Sequence, residues 1–171
     1  VDAERIPNHG GSIRVYAVKG TGNNPSGRLQ ELVKQEESYG LYGSALYATF
    51  AQRVRQSKWK LMHLLSDLKM KGHRIAGIGS PGRSSTVMNY CGIGPDYLDY
   101  TAEHATSLKV GLFTPGTHVP VVDEKRLFED QPEYALVLAW HLGETIPRKL
   151  RSKGLRSKFI MPLPDPVILD W

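Results

Sequence analysis

Cysteine is almost absent from this sequence: Cys91 stands alone, which excludes an intramolecular disulfide framework and a cysteine-rich zinc module. A lone thiol of this kind reads as a small buried side chain in a reducing, cytoplasmic setting. No apolar run approaches the roughly 20 residues that span a bilayer, so no membrane partner is expected. No secretory signal opens the chain, and its start at Val1 suggests a mature or excised fragment of something longer. No two histidines share ligand spacing on one helix, so no metal site is expected. Basic stretches interleaved with aromatic residues are missing as well. The formal charge of +5 therefore does not point to nucleic acid.

What is present fits one ordinary globular domain with its own core: 171 residues, 40% of them hydrophobic. The positive charge gathers in two places, Arg53 to Arg74 and Arg148 to Lys158, both read as solvated helix faces that also attract an anionic ligand. Ser12–Val18 carries β-branched and aromatic residues between glycine pairs and predicts a strand. Helices are expected over Arg28–Ser38 and Ser44–Met70, the longer one with Leu61, Leu64, Leu65 and Leu68 as a core-facing stripe.

After Gly72 strands alternate with helices. Strands are expected at Arg74–Ile78, Tyr97–Thr101, Val119–Val122, Tyr134–Ala139 and Lys158–Met161, with helices at Ser84–Tyr90 and Leu142–Lys153, where Pro147 sits awkwardly inside. The expected fold class is α/β: a Rossmann-like three-layer domain with a mostly parallel sheet, preceded by a strand and a long helix. Ligands in such sheets lie at the carboxyl ends of the strands.

The Gly77-Ile78-Gly79-Ser80-Pro81-Gly82-Arg83-Ser84-Ser85 stretch reads as strand, phosphate loop, helix. Glycines allow close backbone approach, and a helix start offers N–H groups and a positive dipole end to an anion. Gly77, Gly79 and Gly82 also satisfy the dinucleotide spacing G-x-G-x-x-G, with Glu103 at the end of the next strand for a ribose. Two functions stay open at this point: an NAD-type domain of an oxidoreductase and a non-catalytic interaction module.

Four ordered blocks carry a family resemblance: Gly77–Ser85, Asn89-Tyr90-Cys91-Gly92-Ile93, Thr114-Pro115-Gly116-Thr117-His118-Val119-Pro120 and Leu136-Val137-Leu138-Ala139-Trp140, preceded by His9-Gly10-Gly11-Ser12. In this order they resemble the C-terminal domain of S-adenosylmethionine-dependent C-methyltransferases of deoxysugar and antibiotic biosynthesis. The resemblance implies that residues 1–22 form a linker and strand at the boundary of the methyltransferase core, and that residues 23–171 form the C-terminal Rossmann-like domain. It implies S-adenosylmethionine bound by a central domain missing here, and zinc only in a missing N-terminal domain. The fragment alone is then inactive, its partners being that methyltransferase domain and a small-molecule acceptor, a nucleotide-linked keto sugar or similar acid.

The resemblance also implies roles for individual residues. Gly79, Ser80, Gly82, Arg83, Ser84 and Ser85 would hold a diphosphate, though Ser84 or Ser85 also suits helix capping. Asn89, Thr114, Thr117, His118 and His141 would contact sugar or phosphate. His9 would be the base that removes a carbon-bound proton beside a carbonyl, a task suited to an imidazole titrating near neutrality.

Overall fold

The computed structural model describes residues 1–169 apart from the side chain of His9; Asp170 and Trp171 lie outside the described residues. The chain divides into two compact units, Val1–Val54 and Arg55–Trp171.

The first unit opens with a hairpin, β1 (Asp2–Ile6) running antiparallel to β2 (Ser12–Tyr16) in unbroken register from Asp2 opposite Tyr16 to Ile6 opposite Ser12. The sequence predicts one strand here, extending to Val18. The partner strand is hidden in Asp-Ala-Glu-Arg-Ile, which has no run of β-branched residues and buries only Ala3. The reversal uses a 3-10 turn at Asn8–Gly10, with Gly10 and Gly11 at φ +83° and +118°. Polar side chains tie the hairpin to α1 (Gly27–Ser38): the Ser26 hydroxyl, which caps α1 by accepting the Leu29 N–H at 3.1 Å, donates to Asp2 at 2.5 Å, and Arg28 pairs with Asp2 and with Glu4. An isolated two-stranded hairpin is marginal in water. The ion pairs therefore do work that a core does elsewhere.

In the second unit the last part of α2 (Ser44–Met70) packs on a six-stranded sheet of order β5-β4-β3-β6-β7-β8. Its strands are β3 (Ile75–Ile78), β4 (Thr101–Glu103), β5 (Val121–Asp123), β6 (Tyr134–Val137), β7 (Lys158–Met161) and β8 (Val167–Leu169). All pairs are parallel except β7 with β8. Counted from β3 as the first strand, this is the 3-2-1-4-5-6 order of doubly wound dinucleotide folds.

Side chains alternate across the central strands and divide into two cores, as a period of two requires. Ile75, Leu136, Leu138 and Ile160 join Leu61, Leu65 and Leu68 of α2 and Met88 and Cys91 of α3 (Gly82–Cys91). Ala76, Ile78, Ala135, Val137 and Phe159 join Leu127 of α4 (Lys125–Asp130) and Leu150 of α5 (Thr145–Ser152). Helices on both faces complete the expected three layers. The leucine stripe of α2 is core, and burial pushes the Cys91 thiol above its ordinary range.

Several boundaries differ from expectation. Residues 97–100 are not strand, because Tyr97 and Leu98 donate their N–H groups back to Gly94 in a turn and β4 starts only at Thr101. The expected helix from Leu142 is a 3-10 turn at Trp140–Leu142, a break at Gly143 with φ +58°, and then α5. Pro147 is thus the third residue of a helix, in the first turn, where its missing N–H has no partner to lose.

The Arg28 guanidinium, helped by the Ser26 hydroxyl, holds the Asp2 carboxyl at about 2, below its unfolded value of 3.8. A lowered folded pKa gives stability that is complete above the unfolded value and lost as pH falls through the folded one. Amide exchange of β1 is expected to accelerate between pH 4 and 2 beyond its intrinsic pH trend, and Asp2→Asn is expected to abolish that increment.

Candidate functional site

The strand order reverses between β3 and β6, so the crevice for a ligand lies beyond the carboxyl ends of these strands. Two ladder bonds, from Gly79 N–H to Ala102 O at 2.8 Å and from Leu138 N–H to Ile78 O at 3.0 Å, carry the sheet to its rim. Gly79 then turns at φ +77°, and a Cβ there would stand 3.3 Å from the Ala139 methyl group. Ser80 and Pro81 follow, and α3 begins at Gly82 with no side chain capping its amino end.

The three glycines do different things. At Gly77 a Cβ would lie 2.7 Å from Thr101 Cγ2 and 2.9 Å from Leu138 Cδ1, so this glycine serves packing. Gly79 serves the turn. At Gly82 a Cβ would meet nothing within 4 Å, so nothing in the described protein requires glycine there. Ser84 is buried, and its hydroxyl donates to Pro81 O at 2.6 Å; it braces the turn and caps nothing. Ser85 and Arg83 are half-buried on the first turn of α3, and Ser80 is buried.

Two residues at this rim escaped the sequence reading as partners of the loop. Glu103, the last residue of β4, accepts the Ser80 N–H on Oε1 at 2.5 Å. Lys109 donates to Ser80 O at 2.5 Å and stands 3.6 Å from the same Glu103 oxygen. Their signal in sequence is slight: an acid closing a short strand and a lysine six residues later. On the β6 side, Ala139 leads directly into Trp140 and His141, whose rings meet edge to face at 6.4 Å.

The Thr114–Pro120 block does not join this rim. It precedes β5, at the amino edge of the sheet, where Pro120 O accepts the Thr101 N–H. Thr114 and Thr117 bond each other through their hydroxyls at 2.8 Å, and Thr114 Oγ1 also accepts the Val119 N–H. Asn89 fastens the block to α3, its Nδ2 donating to Ser85 O at 2.8 Å and Pro115 O at 3.0 Å. Gly116, at φ +79°, leaves room for that amide, and any side chain there would overlap Asn89. The result presents His118 exposed at φ +56°, a conformation few non-glycine residues adopt.

His9 lies in the turn between β1 and β2, in the first unit, and its side chain is outside the described part. A separate shallow cleft of about 500 Å³ opens at the amino edge, lined among others by His73, Tyr134 and Arg156. Among the described residues no cluster of three His, Cys, Asp or Glu side chains is close enough to hold a metal ion. No helix among them is long and apolar enough to cross a membrane.

The Asn89–Gly116 contact is testable by a double-mutant cycle. Gly116→Ala forces the amide aside and Asn89→Ala removes it, so the pair is expected to couple by about 0.5–3 kcal/mol in chemical denaturation. Strict additivity would mean that the two positions do not touch in solution.

The chain is 28% identical to the C-methyltransferase NovU of Streptomyces niveus over 99% of its own length, and it spans 41% of that relative. The family model of the C-methyltransferase C-terminal domain matches residues 7–164. With that match over most of its length, the chain belongs to the C-methyltransferase C-terminal domain family.

Proposed function

We propose that this chain is the acceptor-binding domain of an S-adenosylmethionine-dependent C-methyltransferase, and that its acceptor is a nucleotide-linked keto sugar or a similar acidic molecule. The observation that carries the reading is the uncapped amino end of α3, set behind the Gly79 turn at the strand reversal. The helix start and its dipole there favour a diphosphate. Gly82 leaves the approach open, Arg83 adds charge and Ser85 a hydroxyl, while Trp140 and His141 wall the other side. Thr114, Thr117 and Asn89 build the second loop, at the opposite end of the strands from this turn.

In this reading the turn takes the acceptor and not S-adenosylmethionine or NAD. In this reading the donor is held by a methyltransferase domain outside residues 1–171, reached through residues 1–22, and any zinc likewise lies outside. His9 takes the carbon-bound proton beside the acceptor carbonyl, leaving an enolate carbon to accept the methyl group.

Calorimetry on this chain tests the acceptor placement. Nucleoside diphosphates or their sugars are expected to bind, S-adenosylmethionine is not, and Gly82→Val is expected to weaken the former at least tenfold with the melting temperature preserved. If no nucleoside diphosphate binds in a manner sensitive to Gly82, the turn is purely structural. In the full-length enzyme, His9→Ala is expected to lower turnover by about 10²–10⁴ with little change in acceptor affinity, and to remove the near-neutral limb of the pH profile. Turnover within a few-fold of the parent would place the base elsewhere.

A further inference from the structure

Glu103 and Lys109 both hold Ser80, one through its N–H and the other through its carbonyl oxygen. The Ser80 N–H, 2.5 Å away, and Lys109 Nζ, 3.6 Å away, converge on a single atom, Glu103 Oε1. An N–H bonded to one oxygen and an ammonium beside it, itself anchored on Ser80 O at 2.5 Å, are donors of the kind that an anionic ligand oxygen requires. They are built into the rim on which the proposed acceptor rests. Ser80 is 7% exposed, so its position is set by the fold, whereas the Glu103 side chain keeps a solvent-facing part and is followed by exposed His104.

We propose that Glu103 is a stand-in anion and a specificity-determining residue: its carboxylate fills the oxyanion position made by Ser80 and Lys109, and the acceptor's anionic oxygen binds by displacing it. This rests on the acceptor's diphosphate lying at the Gly79–Gly82 turn. Two negative groups cannot share one position at low cost, so Glu103 must swing toward solvent as the ligand enters. A neutral acceptor gives the two donors nothing that Glu103 does not already give. The exchange therefore discriminates by charge, through a built-in competitor.

Glu103→Gln keeps an oxygen for the Ser80 N–H and removes the competing charge. Inorganic pyrophosphate and uridine diphosphate, titrated into the chain by calorimetry, are expected to bind this variant about tenfold more tightly than the parent. Adding Lys109→Met is expected to erase the gain. Affinity for pyrophosphate that is unchanged or weaker in a folded Glu103→Gln variant would overturn the proposal. Should that variant not fold, Lys109→Met alone decides, since unchanged pyrophosphate affinity would remove the second donor from the site. If uridine diphosphate binds the parent and is weakened by Gly82→Val, yet Glu103→Gln brings no gain, the stand-in role falls and the acceptor placement stands. If neither probe binds any form, both fall.

Discussion

At Gly77 the main chain of β3 passes so close to Thr101 and Leu138 that a side chain has nowhere to go. That contact draws β4 and the end of β6 against the central strand. It places Glu103 under the Ser80 peptide and Ala139 against Gly79. Loosening β3 at this point would separate the glycine turn, the acid and the Trp140–His141 wall together, because each is positioned by a different neighbour of the same strand. The chemistry of the rim is therefore a consequence of backbone spacing within the sheet.

The opposite edge is held by charge. Arg74, just before β3, donates to Asp99 at 2.9 Å and Asp130 at 3.2 Å, while Arg126 of α4 reaches Asp130 at 2.8 Å. Arg126 first and then Arg74 hold the Asp130 carboxyl below its usual range. These partners come from separate stretches of chain and staple the starts of β3 and β4 to the end of α4. Partly exposed pairs of this kind contribute modestly one by one and more as a network. At the rim beyond Gly79, Glu103 and Lys109 converge on the glycine turn.

Legibility in the sequence followed the reach of each signal. The leucines of α2, the apolar runs of β3, β6 and β7 and the turn at Gly79–Gly82 are local patterns, and they fold as read. β4, α4 and β8 are three, six and three residues long, too short for a period to emerge. β1 is polar on its exposed face and depends on Arg28, 26 residues from Asp2. The pairing of Lys109 with Ser80 spans 29 residues and is a product of topology. The placement of Thr114–Pro120 at the amino edge is likewise set by where β5 begins. The family resemblance identified that block as a unit without locating it in space.

The first unit buries only Ala3 among its described side chains and turns Ile13, Val15, Val18, Tyr42, Tyr47 and Phe50 toward solvent. Exposed apolar side chains in that number cost solubility more than stability, because they gain by meeting any other apolar surface. For a chain of this length handled by itself, the colloidal consequence is plain. Concentration and precipitating salts will govern its behaviour in solution, strengthening burial of that surface between molecules, while the excess of positive charge keeps copies apart at low ionic strength.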